Sequence, residues 1–448
     1  MKSFTIFLVL SAAATVIGSA GGKQTTTVGT YTTLSGFYDY QINGGACKYI
    51  AYNPRSRALH VVYMSDPDSG VPGNPNRGTY YAYSTNHGLT WNNFLNLRVP
   101  SRRSGYPSLD VCCTPFGCCA FITNHNDFGL GLRAMVYTDC PEGGGAFAEF
   151  PPPSLFESLQ WPQVTCLSNG GVIVTATGSV NGIPGTYVKR IDTLSSWIRL
   201  SSTSSGGRHV GASTRGSRVG VLINEVQNGV FLFESTNYGL TWPTTPLTVH
   251  PPQRIVGTDT FQAWVGADLA YLGETPVAAI SEWMVNSNAP TDSAQIVFWS
   301  AATGLVVAAD KRNTSGVVPR MNRAQVNHTT LGYPCIALAG PYIAIVYQAF
   351  LPETSATGFN YSDIFYTRSV NGTYWFPPDN LTQTPYLDER YPCVSRWNDT
   401  IGPYFIYMVW QEDTQPGSAA FNDGAPISRA SQKFYRLPLL IDGVTEER

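Results

Sequence analysis

The sequence predicts an all-β fold, closed on itself in one domain over residues 21–448. The 43 Gly and 31 Pro among 448 residues suit many short strands joined by turns and leave little room for long helices. Hydrophobic residues at 43% and aromatics at 12% supply a sizeable core, which argues against a disordered chain. Short apolar runs separated by turn residues recur along the whole length. Charge is sparse and balanced: 13% charged residues, 28 Lys+Arg against 30 Asp+Glu, net −2. A nucleic-acid binder needs a basic stripe to replace counterions, and a polybasic membrane-surface protein needs the same excess, so neither partner is expected.

The N-terminus reads Met1-Lys2-Ser3, an apolar run from Phe4 to Ile17, then Gly18-Ser19-Ala20. A basic start, a short apolar stretch and small residues predict a secretory signal over residues 1–20. The run is shorter than the ~20 residues that span a bilayer, and no later segment has 18 consecutive apolar residues, so a secreted protein without a membrane span is expected.

All nine cysteines follow this segment, where an oxidising compartment permits disulfides. Cys112, Cys113, Cys118 and Cys119 flank a four-residue turn. In a hairpin, alternation would set Cys113–Cys118 and Cys112–Cys119 as cross-strand pairs on opposite faces. Zinc is the rival reading, but the spacing differs from paired CxxC, so no metal is assigned. Six Asn-x-Ser/Thr acceptors, Asn313, Asn327, Asn360, Asn371, Asn380 and Asn398, are candidate glycosylation sites confined to the last third of the chain.

Two octapeptides nearly repeat: Ser84-Thr85-Asn86-His87-Gly88-Leu89-Thr90-Trp91 and Ser235-Thr236-Asn237-Tyr238-Gly239-Leu240-Thr241-Trp242. Each follows an aromatic strand, and Ser369-Val370-Asn371-Gly372-Thr373-Tyr374-Trp375 is a degenerate third copy. Physically this is a hairpin plug: Ser and Asn bond the turn backbone, Gly takes a positive φ, and Trp folds back as an apolar peg. The motif resembles the Asp-box of the sialidase-like (BNR-repeat) β-propellers, Ser-x-Asp-x-Gly-x-Thr-Trp, with Asn in place of Asp.

A second periodicity supports that resemblance. Seven units begin with similar residues: Gly45-Ala46-Cys47, Tyr106-Pro107-Ser108, Trp161-Pro162-Gln163, Arg208-His209-Val210, Gln262-Ala263-Trp264, Tyr333-Pro334-Cys335 and Tyr391-Pro392-Cys393. Starts lie roughly 45–70 residues apart, the size of a four-stranded blade. Together these imply a single β-propeller of seven four-stranded blades, with six, the usual sialidase number, as the alternative. The ring would close by pairing Lys433–Leu439 with the segment near Thr25–Thr33, and one pair among Cys47, Cys335 and Cys393 would staple the closure.

In a propeller the plug hairpins lie at the turn between the third and outer strands, opposite the face where inner strands begin. Ser84, Asn86, Gly88, Thr90, Trp91, Ser235, Asn237, Gly239, Thr241 and Trp242 are therefore structural. The mouth would instead be lined by the ends of second strands, Asp66, Asn126-Asp127, Glu225, Glu282, Gln348 and Glu412-Asp413, and by the aromatic starts Tyr106, Trp161, Tyr333 and Tyr391. Aromatic faces beside carboxylates suit sugars.

Two functions follow. The favoured one is a non-catalytic extracellular propeller that recognises glycan or protein, or assembles into a surface layer or filament. The alternative is a glycoside hydrolase using mouth acids, with Glu225, Glu282, Glu412 and Asp66 as candidates. Sialidase chemistry, which the resemblance implies, needs an arginine triad and an early Phe/Tyr-Arg-Ile-Pro segment; that segment is absent. No cofactor is expected beyond calcium at Asp66-Pro67-Asp68 or Glu412-Asp413, whose spacing matches no defined loop. Asp110 and Asp259 are lone acids without an assigned role.

Overall fold

The computed structural model describes residues 28–42, 48–68, 74–127, 129, 131–150, 154–193, 195–204, 207–285 and 294–439. The expected signal segment and Cys47 lie outside the described residues. Strands form seven antiparallel sheets arranged as the blades of a propeller. The inner strands, in blade order, are Ile50–Tyr52, Ser104–Thr114, Glu157–Cys166, Gly207–Ala212, Asp259–Leu272, Leu331–Ala339 and Asp388–Val394. The blade count is therefore seven, not six.

The seventh blade closes the ring. Its third strand, Ala430–Leu439, pairs with Thr30–Gly36 in the register Thr30↔Phe434, Tyr31↔Lys433 and Gly36↔Ala430. Thr30–Gly36 thereby becomes the outer strand of the seventh blade and ties it to the segment that leads into the first. Two blades depart from four strands. In blade 1 the outer strand is reduced to the bridges Tyr80↔Arg98 and Tyr83↔Asn92, and blade 5 gains Arg254–Val256, which pairs with the start of its inner strand.

Adjacent sheets bury their apolar faces against each other. Between blades 5 and 6, for example, Val277, Ile296 and Phe298 pack with Ile343, Ile345 and Tyr347. The aromatic–proline pairs create a repeated device. Tyr106, Trp161, Tyr333 and Tyr391 all have positive φ, 50°, 48°, 52° and 57°, and each lies at a register shift of its inner strand. Proline has no N–H to continue the ladder, so the strand bulges there and the aromatic ring is re-aimed.

Lower on the axis, Asp110 Oδ1 accepts the Val111 amide at 2.9 Å and Asp268 Oδ1 the Leu269 amide at 2.7 Å. Their Oδ2 atoms accept amides from the next blade, Cys166 at 2.8 Å and Ile336 at 2.9 Å. Asp110 is thus an inter-blade tie, whereas Asp259 begins the blade-5 inner strand, half-buried. Lys48, His209, Asp268 and Arg396 converge beside these ties around a void of about 20 Å³, which plugs the axis.

The three Trp hairpins lie where second strands begin, as Leu59↔Ser84 and Val219↔Ser235 show, opposite the mouth. Gly88 and Gly239 amides donate to Ser84 and Ser235 Oγ at 3.0 Å, and Thr90 and Thr241 amides to Asn86 and Asn237 Oδ1 at 3.0 Å. The Asn amides return a bond to the Thr90 and Thr241 hydroxyls at 2.8 and 2.9 Å, which an ionised Asp could not donate. Each hairpin docks on the preceding blade: a methyl on Gly88, Gly239 or Gly372 would strike Phe434, Ile173 or Phe298.

The cysteine hairpin forms in the expected register, Cys112↔Cys119 and Cys113↔Cys118, and Cys113–Cys118 is bonded. The pairing Cys112–Cys119 is corrected. Cys112 bonds Cys166 of the next inner strand and Cys119 bonds Cys140. Cys112 is buried in the interface with blade 3, where Cys166, Val164 and Val172 pack against it. Cys140 follows the strand that pairs with the Cys119 strand, so it lies within reach of Cys119.

Candidate functional site

The mouth is asymmetric. On blades 1 to 4 it carries Arg77, Arg103, Tyr106, His125, Trp161 and Arg208, with Tyr38 from the segment that links the ring closure to blade 1. Tyr106 and Trp161 are half-buried and Arg103 is exposed. Register places His125 beside Tyr106: Gly105 pairs with His125. The His125 ring lies 5.3 Å from Tyr106 and 5.8 Å from Trp161, edge-on to both.

Arg77 donates to Tyr38 Oη at 3.2 Å and to the Ser104 carbonyl at 3.3 Å. Its guanidinium stands 5.1 and 5.6 Å from the Tyr38 and Tyr106 rings, whose hydroxyls meet at 3.3 Å. No carboxylate among the described residues forms an ion pair with Arg77. Burial and the Arg77 charge push the Arg103 guanidinium below its ordinary range. Arg208 lies 5.9 Å from the Trp161 ring, and burial lowers it to about 10. Burial, followed by the Arg77 and Arg103 charges, lowers His125 to about 3. The imidazole is therefore neutral, and among the described residues neither ring nitrogen has a hydrogen-bond partner.

The ring of free acids expected here is not formed. Glu282 is fully buried. His250 Nε2 bonds it at 2.7 Å and Arg254 and Gln295 also donate to it; burial raises its carboxyl, but these partners outweigh that and hold it below the usual range. Glu412 binds Lys433 Nζ at 2.8 Å and accepts from Tyr31 Oη at 2.7 Å. Glu225 accepts from Thr203 Oγ1 at 2.6 Å and Ser201 Oγ at 3.3 Å. Asp66 is buried, with Oδ1 on the Asp68 amide and Oδ2 unpartnered among the described residues. The acids are divided among separate blades, and two are consumed by ion pairs. Among the described residues no three His, Cys, Asp or Glu converge to hold a metal ion.

The other half of the mouth is filled, which corrects the aromatic rim. Tyr333 and Tyr391 are only 2% and 1% exposed. Tyr40 packs edge-on to Tyr391 at 6.2 Å, and Phe421 caps Tyr40 at 4.5 Å. Asp39 holds that cap by accepting the Ala419 and Ala420 amides and the Ser418 hydroxyl. The long loop after Asp413 thus folds inward instead of leaving an open rim.

Several sequons are also occupied by structure. Asn360 and Asn398 are buried, donating to Leu351 and Ser395 carbonyls. Asn327 and Asn380 donate to Tyr40 Oη and Asp363. Asn313 and Asn371 are exposed, although the Asn313 amide also donates to the Ala308 carbonyl at 3.4 Å.

Sequence reasoning missed Arg77 and Arg103, which lie just before strands rather than in repeated positions, and it left His125 and Arg208 unassigned. Trp264, a further aromatic of the inner-strand series, is half-buried, 5.5 Å from Trp283.

No protein-family model matches the chain, nor does any curated protein. Among solved structures, the chain is similar to an ulvan lyase of a polysaccharide-lyase family, with TM-score 0.55 and 11% identity over 92% of this chain and 96% of that one. It is similar to a Burkholderia pseudomallei lectin, with TM-score 0.50 and 10% identity over 83% and 96%. Trypanosoma rangeli sialidase gives TM-score 0.39 and 11% identity over 92% of this chain and 59% of that one. At these identities the likeness is one of fold: the chain is a β-propeller with seven blades.

Proposed function

We propose that the chain is a secreted, non-catalytic carbohydrate-recognition propeller whose cationic half-mouth on blades 1 to 4 takes an acidic glycan. The observation that carries this reading is Arg77, buried without a carboxylate partner among the described residues and set beside Arg103 against the aromatic wall of Tyr106 and Trp161. Guanidinium forks match carboxylates or sulfates, and aromatic faces take the C–H faces of sugar rings. Three disulfides and the absence of any long apolar helix among the described residues fit an extracellular setting. Isothermal titration with oligogalacturonate, heparin-derived oligosaccharide and cello-oligosaccharide tests it. Acidic ligands bind, more weakly at high salt, and the neutral one does not bind at this mouth. Equal affinity for all three, lost alike in Trp161→Ala, contradicts the reading.

His125 favours a second reading, β-elimination on a uronate. Arginines would neutralise the carboxylate, and His125 would remove the adjacent C5 proton. The electron pair would form the C4=C5 bond as the C4–O bond breaks, and the Tyr106 phenol would protonate the leaving oxygen. Its low basicity in the free protein is caused by burial and cations, which a bound carboxylate offsets. New ultraviolet absorbance from the conjugated product, lost in His125→Gln, would replace the non-catalytic reading by this one. Hydrolysis by Glu225 and Glu282 has no comparable support, since Glu282 is locked in its ion pairs.

A further inference from the structure

On the flank of blade 6 a cavity of about 620 Å³ lies between the Leu351–Glu353 segment and the loop after the outer strand. Small-molecule sites span roughly 300–1,000 Å³. Tyr361 and Tyr386 make a corner there, with ring centroids 6.0 Å apart and planes at 89°. Tyr386 stands 66% exposed at the lip.

The loop that presents Tyr386 is held in an unfavourable shape. Gln383 and Tyr386 have φ of 48° and 61°, a region costly for bulky residues and one that persists where surroundings enforce it. Asn380 Oδ1 accepts the Thr382 and Gln383 amides at 3.2 and 3.1 Å, and Thr384 Oγ1 donates to Glu389 at 2.7 Å. Asp363 lines the cavity and accepts from Asn380 at 2.5 Å. Burial raises both carboxyls above their ordinary range, helped at Glu389 by the Asp363 charge and at Asp363 by the Glu353 charge. Glu353 adds an exposed carboxylate, and no Lys or Arg is among the described lining residues.

We propose that this cavity is a second saccharide site, for a neutral glycan whose ring seats in the Tyr361–Tyr386 corner and whose hydroxyls donate to Asp363. The absence of cations and the surplus of carboxyls repel the acidic ligands that the mouth attracts, so the site does not depend on the mouth reading. It binds without turnover. Glycosidase carboxyls work as a facing pair about 5–5.5 Å or 6.5–9.5 Å apart, whereas here Asp363 is held by Asn380 and Glu389 by Thr384.

The test is titration of the full chain with cellobiose, lactose and maltose, comparing wild type with Tyr386→Ala, Asp363→Asn and, as control, Trp161→Ala. At least one disaccharide binds, Tyr386→Ala and Asp363→Asn each weaken it tenfold or more, and Trp161→Ala leaves it unchanged. Exposed Tyr386 can be truncated without unfolding the chain. No binding by any disaccharide, or binding indifferent to Tyr386→Ala, overturns the proposal. Loss only in Trp161→Ala would place neutral sugars at the mouth and overturn both readings.

Discussion

Asp110 accepts the backbone amide of Cys166, in the next blade, at 2.8 Å, while Arg396 from across the axis reaches the same carboxylate at 3.2 Å. One buried acid thus ties three blades. Asp110→Asn keeps the shape and removes the charge, leaving the buried Arg396 without its counterion. Removing one partner of a buried pair costs about 3–5 kcal/mol; since Asn retains an acceptor, the lower end is expected. Urea unfolding followed by tryptophan fluorescence checks this, and a midpoint equal to wild type would show that Asp110 carries no tie.

The disulfides should differ in worth. Loop-closure entropy for the 54-residue separation of Cys112–Cys166 predicts about 4 kcal/mol, against about 2 kcal/mol for the five-residue Cys113–Cys118. The double variant Cys112→Ser/Cys166→Ser should therefore lose roughly twice the stability of Cys113→Ser/Cys118→Ser. Equal losses in denaturant melts would contradict the inter-blade role of the first bond.

Acid should destabilise the chain through its buried histidines. His125 and His328 are lowered to about 3 and His209 to about 4 from an ordinary 6.5, burial being the main cause in each. The unfolded chain takes up these protons below pH 6.5 and the native chain does not, so stability falls as pH drops from 6.5 toward 4. Each histidine contributes about 1.4 kcal/mol per pH unit. Asp388, raised to about 7, and Asp363, raised to about 6, both by burial, act oppositely in the same window, so the wild-type curve alone is ambiguous. The stability difference between wild type and His125→Phe isolates one histidine. It should change by about 1.4 kcal/mol per unit between pH 5.5 and 4.5, and a flat difference would mean that His125 is protonated in the native state.

Locally encoded features were legible in the sequence. The Ser/Asn/Gly/Trp hairpins and the aromatic–proline bulges rest on short-range chemistry, and their spacing implied seven blades. The ring closure was expected between Lys433–Leu439 and the segment near Thr25–Thr33, and the structure pairs Ala430–Leu439 with Thr30–Gly36. What depends on which side of a strand meets the next blade was not legible, as Cys112 bonding Cys166 shows. The mouth was misjudged for the same reason. Glu282 and Glu412 end second strands as expected, but His250, Arg254 and Lys433, distant in sequence, neutralise them. Arg77 gains its meaning from packing on Tyr38 and Tyr106, and no repeat marks it or Arg103. The pairing of His125 with Gly105 was the one local signal that could have drawn attention to the cationic half.

The most direct test of the central claim is a crystal structure of the full chain soaked with an oligogalacturonate. A carboxylate held by Arg77 and Arg103, with its sugar ring against Trp161, is the predicted result, and Arg103→Ala should then weaken binding about 10- to 100-fold, as for loss of a charged hydrogen bond. An oligosaccharide bound elsewhere with the mouth empty, or affinity unchanged in Arg103→Ala, would contradict it.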